Sequence, residues 1–110
     1  MDLLELLHSG DLTLTEAEAV LEKQVQDFHA GVEKLPWNEY FRMSIYEASA
    51  YLHGAGLADL VKLRYEGWPV CCYVCGQSLD YRQGGWSFLR REDGTPQLRH
   101  VPCPQMRTQN

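Results

Sequence analysis

Two pairs of residues near the end of the chain have the types and the spacing of metal ligands. Cys72 and Cys75 are separated by two residues and followed by Gly76, and His100 and Cys103 are again separated by two residues. Such a gap lets both side chains of a pair reach one tetrahedral zinc ion from a tight turn. Glycine adopts the positive φ that a chain bending round a metal needs. The sequence therefore predicts a structural Cys3His zinc site at Cys72, Cys75, His100 and Cys103.

The cysteines also allow other interpretations. They could form a disulfide or remain buried thiols, but a disulfide requires an oxidising compartment, and the acidic N-terminus does not look like an export signal. Cys71 could replace Cys72 as a ligand, because a gap of about two to four residues is tolerated and Cys71-x3-Cys75 lies within it. Gly76 favours Cys72. Cys71 is then expected to be a small buried hydrophobe, or alternatively a reactive thiol.

No pattern typical of a catalytic site accompanies these ligands. Four protein ligands leave zinc no open position for water. The chain lacks a phosphate-binding glycine loop, a Gly-x-Ser-x-Gly motif, a His-Glu-x-x-His motif and the ligand pattern of zinc deaminases. The other histidines fall at predicted helix ends, where the helix dipole favours a cation; these are His8, His29 and His53. We therefore expect no catalytic residues and no enzymatic activity.

A helical segment is expected before the metal ligands. Apolar residues at helical spacing predict four short helices. Thr13 with Glu16, and Ser44 with Glu47, have the spacing of capping boxes and mark where the second and third helices begin. The helices are predicted to end at glycines, namely Gly10, Gly31, Gly54 and Gly67.

The C-terminal part is predicted to be a β-hairpin that carries the second ligand pair. Strands are expected at residues 86–91 and 97–101, joined at Asp93-Gly94. A two-residue turn would place Phe88 opposite Arg99, as a cation-π pair. It would also set Trp86 opposite Val101, Arg90 opposite Gln97, and His100 on the face of Leu89 and Leu98. A three-residue turn with a bulge at Gly94 would change this register.

These elements together predict an α+β protein in which about four helices lie against a zinc-stabilised hairpin. We expect residues 1–67 to be helical, residues 68–104 to form the zinc-binding module, and residues 105–110 to be a frayed tail. With 110 residues and 45% hydrophobic composition, the chain can form one compact domain with a modest core. Structural zinc contributes on the order of 10 kcal/mol, comparable to the stability of such a domain. Removing the ion should unfold the hairpin.

Charge is distributed unevenly along the chain. The net charge is −5. Residues 1–61 hold eleven acidic and three basic residues, and residues 62–110 hold four acidic and seven basic residues. An acidic helical half should repel nucleic acid and attract a basic protein. The N-terminal run of leucines is too short to span a bilayer, so we expect a soluble, cytoplasmic protein.

The loop at residues 32–43 crowds aromatic residues among acids. Glu33, Trp37, Glu39 and Tyr40 lie close together in it. With the small size, the acidic helices and the lack of a catalytic pattern, the layout resembles small bacterial immunity proteins, which neutralise a toxin by covering its active site. That resemblance implies a protein partner, a basic toxin domain, contacted by these four residues. The alternative is that the aromatic residues pack the loop onto the helices.

Residues 72–103 resemble zinc-ribbon modules through their Cys-x-x-Cys-Gly motif. The resemblance implies a metal but no particular function. Aromatic and basic residues alternate there as on a surface that stacks bases and binds phosphates, namely Tyr81, Trp86 and Phe88 with Arg82, Arg90, Arg91 and Arg99. A nucleic-acid-binding or regulatory protein is therefore the alternative function. The aromatic residues could equally pack the hairpin against the helices.

Overall fold

A computed structural model describes residues 1–101 and shows an α+β protein, which confirms the predicted fold class. The helices are α1 (Leu3–Ser9), α2 (Leu14–His29), α3 (Trp37–Tyr40), α4 (Ile45–Leu52) and α5 (Leu57–Glu66). A 3₁₀ turn at Tyr81–Gln83 leads into the antiparallel strands β1 (Trp86–Arg90) and β2 (Pro96–His100). Within residues 1–101, no helix combines the length and the apolar character that crossing a bilayer requires.

Both predicted capping boxes are present. Thr13 N–H donates to Glu16 Oε1 at 3.0 Å, and Glu16 N–H donates to Thr13 Oγ1 at 3.2 Å. Ser44 N–H donates to Glu47 Oε1 at 2.8 Å, and Glu47 N–H donates to Ser44 Oγ at 3.2 Å. Each box satisfies N–H groups that the first turn of a helix leaves unpaired. This is why α2 and α4 begin where the sequence predicts.

The loop at residues 32–43 contains the short helix α3, which the periodicity did not predict. Pro36 precedes it, and Phe41 N–H closes its turn by donating to Trp37 O at 3.0 Å. Trp37 and Phe41 are buried, and the ring of Trp37 meets Tyr51 edge-on at 5.4 Å between centroids. The aromatic residues therefore pack this segment onto the helices, which is one of the two alternatives above.

Helices and hairpin share one hydrophobic core. Its fully buried members include Phe41, Leu3, Leu4, Leu21, Leu57, Leu60, Leu63, Leu98 and Cys72. Trp86 and Phe88 of β1 belong to the same cluster. Burying a large apolar side chain stabilises the fold by about 1.5 to 3 kcal/mol. Because one core holds both parts, the hairpin is fixed relative to the helices.

Two arginines connect elements that are distant in sequence. Arg64 of α5 binds both carboxylate oxygens of Glu47, with Nε–Oε2 2.7 Å and Nη2–Oε1 2.8 Å, and binds Asp2 Oδ1 through Nη1 at 2.7 Å. Arg90 of β1 binds Asp59 Oδ2 at 2.6 Å through Nη2 and 3.0 Å through Nε. The first group joins α1, α4 and α5. The second joins the hairpin to α5.

The hairpin register differs by one residue from the register expected for a two-residue turn. Arg91 N–H donates to Thr95 O at 2.9 Å, and Gly94 between them has φ +88°. The turn therefore has three residues, which is the alternative with Gly94 at the bulge. The observed pairs are Trp86 with His100, Ser87 with Arg99, Phe88 with Leu98, Leu89 with Gln97 and Arg90 with Pro96.

This register corrects two predictions. His100 pairs with Trp86 across the sheet, so it lies on the opposite face from Leu89, and the prediction that the two share a face is wrong. The predicted cation-π pair of Phe88 with Arg99 is also wrong. The guanidinium of Arg90 lies over the Phe88 ring instead, 5.3 Å from its centroid. The Asp59 carboxylate holds that guanidinium in place.

Candidate metal centre

Three of the four predicted ligands come together at the base of the hairpin. The ligand atoms of Cys72, Cys75 and His100 all lie within 4.8 Å of one another, and Cys75 Sγ is 3.4 Å from His100 Nδ1. Ligands about 2.0 to 2.3 Å from a tetrahedral zinc ion lie about 3.3 to 3.8 Å apart. The cluster can therefore hold a metal ion. The fourth predicted ligand, Cys103, lies outside the described residues.

A tight turn presents the two cysteines. Gly76 N–H donates to Cys72 O at 2.8 Å, and Cys72 N–H donates to Gln77 O at the same distance. Gly76 has φ +74°, in the left-handed region that favours glycine. The turn directs Cys72 and Cys75 to one point, and Gly76 has the role that the sequence predicted for it.

Backbone and side-chain contacts fix His100 beside the thiols. His100 N–H donates to Cys72 Sγ at 3.3 Å, and Tyr73 N–H donates to Leu98 O at 2.9 Å, so the cysteine turn lies along β2. His100 Nε2 is 3.2 Å from Ser78 O. Because a carbonyl only accepts, this contact is a hydrogen bond when Nε2 carries a proton, and it directs Nδ1 toward Cys75 Sγ. A metal-bound imidazole is commonly oriented by such a second hydrogen bond.

The surroundings of Cys72 favour its thiolate. Burial raises the pKa of this thiol, but hydrogen bonds from the backbone N–H groups of Cys75, His100 and Val74 outweigh burial and lower the pKa to about 6. The thiolate is the form of cysteine that binds metals. The turn and the backbone N–H of His100 in β2 together favour the thiolate of Cys72 at neutral pH.

Cys71 is exposed, so the prediction that it is a small buried hydrophobe is wrong. Its backbone forms an isolated β-bridge with Ser78, and its thiol does not belong to the three-residue cluster. Successive residues of an extended chain point to opposite sides. The bridge thus turns Cys72 toward the core and Cys71 toward solvent, so Cys72 and not Cys71 belongs to the cluster that could hold a metal ion.

The four residues predicted to contact a partner differ in accessibility. Glu39 is exposed, and Glu33 and Tyr40 are half-buried. Trp37 is a core residue, with 8% of its surface exposed. A partner could not reach its ring without a rearrangement of the fold, so the predicted surface now depends on the other three.

The aromatic residues expected to stack nucleic-acid bases take part in packing. Trp86 and Phe88 are buried, and the ring of Tyr81 stacks on Trp68 at 4.8 Å between centroids. Arg90 is held by its ion pair with α5. The alternation of aromatic and basic residues in the hairpin therefore matches the packing alternative.

Exposed carboxylates concentrate on α1, α2 and the turn between them. Residues 1–30 contain seven acidic residues, one lysine and no arginine. That lysine, Lys23, forms an ion pair with Asp27 at 2.8 Å. We call the five exposed carboxylates among them the acidic surface; they are Glu5, Asp11, Glu16, Glu18 and Glu22. These carboxylates lie on two helices and the turn between them, so the periodicity of a single helix could not group them.

Comparison of the chain with models of protein families, with curated proteins and with solved structures finds no match. The features of this chain that bear on function are the cluster that could hold a metal ion and the acidic surface.

Proposed function

We propose that this chain is a non-catalytic, zinc-stabilised protein that binds a basic protein partner through its acidic surface. The supporting observation is that exposed carboxylates outnumber cations within residues 1–30. This segment contains seven acidic residues and one lysine, and that lysine is paired with Asp27. Complementary charge accelerates association and disfavours wrong partners. In its most specific form, the proposal is an immunity-type inhibitor whose partner is a basic toxin domain.

Zinc is the metal we propose for the cluster. Two thiolates and an imidazole are ligands that zinc prefers, and Cys103 would complete a tetrahedral set. A closed set of four protein ligands leaves no position for water or substrate, so the ion would stabilise the hairpin and supply no chemistry.

Metal content after purification tests the first half of the proposal. We expect one zinc per chain, measured by inductively coupled plasma mass spectrometry. Cys75→Ser should lose the metal and Cys103→Ser should bind it more weakly, whereas the matched control Cys71→Ser should retain it. Full zinc content in Cys75→Ser, or loss in Cys71→Ser alone, would contradict this ligand set.

Capture of the partner tests the second half. Immobilised protein should retain a basic protein encoded beside its own gene, with an association rate that falls as salt rises. Reversing two charges of the acidic surface, Glu5→Lys with Glu18→Lys, should slow association. The matched control, Glu66→Lys with Glu92→Lys, reverses two exposed charges elsewhere and should not. Equal slowing by both double variants would remove the acidic surface from the proposal.

Two further measurements complete this test. Glu39→Lys should fold normally and weaken binding if the loop of α3 also touches the partner. Binding to DNA and RNA should be measured across a salt titration, because phosphate contacts give a steep salt dependence. Tight, salt-dependent binding to either nucleic acid, together with no protein capture, would favour the alternative function.

A further inference from the structure

A groove with an acidic rim lies between α2 and the link from α4 to α5. Its volume is about 400 Å3, and its lining residues are Glu18, Leu21, Glu22, Tyr51, Gly56 and Leu57. Leu21 and Leu57, each 2% exposed, lie beneath its floor. Glu18 and Glu22 are exposed and form the rim. The groove thus combines buried apolar surface with two negative charges.

The two rim carboxylates lack a counter-charge. Glu18 and Glu22 are four residues apart on α2, so they lie on one face of the helix, where like charges repel. Neither takes part in an ion pair within residues 1–101. Lys23 is adjacent in sequence but binds Asp27. A cation that entered the groove would relieve the repulsion between the two carboxylates.

An aromatic ring forms part of the wall. Tyr51 is half-buried, and its ring is held edge-on against Trp37. A guanidinium binds favourably over an aromatic face and pairs with carboxylates, while its aliphatic stem covers apolar surface. The floor suits the aliphatic stem of an arginine, and the aromatic wall and the carboxylate rim suit its guanidinium. The compact, strongly hydrated ammonium of lysine would use the aromatic wall less well.

We infer that this groove is the anchor site for an arginine side chain presented by a basic segment of the protein partner. The inference rests on the proposed function, which supplies the basic partner, and it identifies the part of the acidic surface that holds it. The arginine stem lies in the groove above Leu21 and Leu57, and its guanidinium lies between Tyr51 and the carboxylates of Glu18 and Glu22.

A titration with a small probe tests the groove without the partner. Nα-acetyl-L-arginine amide is added to the 15N-labelled full chain, and amide shifts are followed by NMR. Nα-acetyl-L-citrulline amide, which has the same shape and no charge, is the control. Saturable shifts should concentrate at the groove residues for arginine and be absent for citrulline. Shifts equally large at Glu5 and Asp11, or equal binding of citrulline, would overturn the inference.

Charge-neutralising pairs then separate this inference from the proposed function. Glu18→Gln with Glu22→Gln should weaken the probe and the captured partner about fivefold, because exposed ion pairs contribute modestly. Glu5→Gln with Asp11→Asn, the matched pair away from the groove, should leave the affinity for the probe unchanged and weaken the partner less than the groove pair does. Equal weakening of the partner by both pairs would overturn the groove and leave the proposed function standing. No weakening by either pair would overturn both.

Discussion

The replacement of Arg64 by methionine tests how much the fold depends on one ion-pair group. Methionine keeps an apolar stem in α5 but removes the guanidinium. The Glu47 carboxylate, which receives two hydrogen bonds from Arg64, would then stay in the core without its cation. Asp2, at the start of α1, would lose the same partner.

The expected loss of stability in Arg64→Met follows from the burial of the Arg64–Glu47 ion pair. The side chain of Glu47 is 5% exposed and that of Arg64 is 20% exposed. Removing one partner of a fully buried pair destabilises a protein by about 3 to 5 kcal/mol. Because Arg64 reaches solvent, water can enter the space it leaves, and we expect about 2 to 3 kcal/mol. For a domain of this size that loss lowers Tm by about 10 to 20 °C.

The pH dependence gives the sharper test. Burial raises the pKa of Glu47, but the hydrogen bonds and charge of Arg64 and the Ser44 N–H outweigh burial and lower it. A lowered folded-state pKa stabilises the protein above the ordinary carboxyl pKa, and this contribution is lost as pH falls through the lowered value. In the variant, burial acts without Arg64, so the carboxyl takes up a proton at higher pH. The difference in stability should be largest at pH 7 and shrink toward pH 4.

Circular dichroism during thermal and urea unfolding at pH 7, 5 and 4 measures this difference. Lys23→Met is the matched control, because Lys23 also pairs with a carboxylate but its side chain is 77% exposed. An exposed pair of this kind contributes little, so Tm should not change. A loss in Arg64→Met that stayed constant across the pH range would refute the buried charge as its cause, and an equal loss in Lys23→Met would refute the dependence on burial.

Three further substitutions test individual contacts by urea unfolding. Gln24→Leu should stabilise the fold by about 1 kcal/mol, because Gln24 Nε2 is buried without a hydrogen-bond partner in the described part of the chain; a loss of stability would mean that the amide is satisfied. Gly94→Ala should destabilise it by about 1 to 2 kcal/mol through φ +88° alone, since a Cβ there meets no atom within 4 Å; a neutral result would show that the turn can relax. Asp59→Asn should cost about 1 kcal/mol by weakening the bond to Arg90, and no change would mean that the core alone fixes the hairpin.

Local interactions made the helix starts predictable. A capping box is encoded within four residues, so Thr13 and Ser44 could be assigned from the sequence without knowledge of the tertiary fold. The short helix α3 has no side-chain cap, and its four residues are too few to show a period. It forms because Trp37 and Phe41 are buried against other helices, which is information that the local sequence does not contain.

The metal ligands could be predicted from local sequence, whereas the groove could not. The spacing of Cys72 and Cys75 reports a local turn, and three of the four predicted ligands do come together. The hairpin register was less predictable, because Asp93-Gly94 suits both a two-residue turn and a three-residue turn with a bulge. The groove could not be predicted, because its lining comes from α2, from the end of α4 and from the start of α5, which only the tertiary fold brings together.

The observed hairpin register both buries the core residue of β2 and places His100 beside the cysteine thiols. A shift of one residue moves every side chain of a strand to the other face of the sheet. In the observed register Leu98 is fully buried, and His100, two residues later, shares its face and meets the thiols of Cys72 and Cys75. A shift of β2 that exposed Leu98 would also carry the imidazole away from both thiols. Packing and ligation therefore favour the same backbone arrangement, so a metal bound at this cluster would stabilise the register that buries the core.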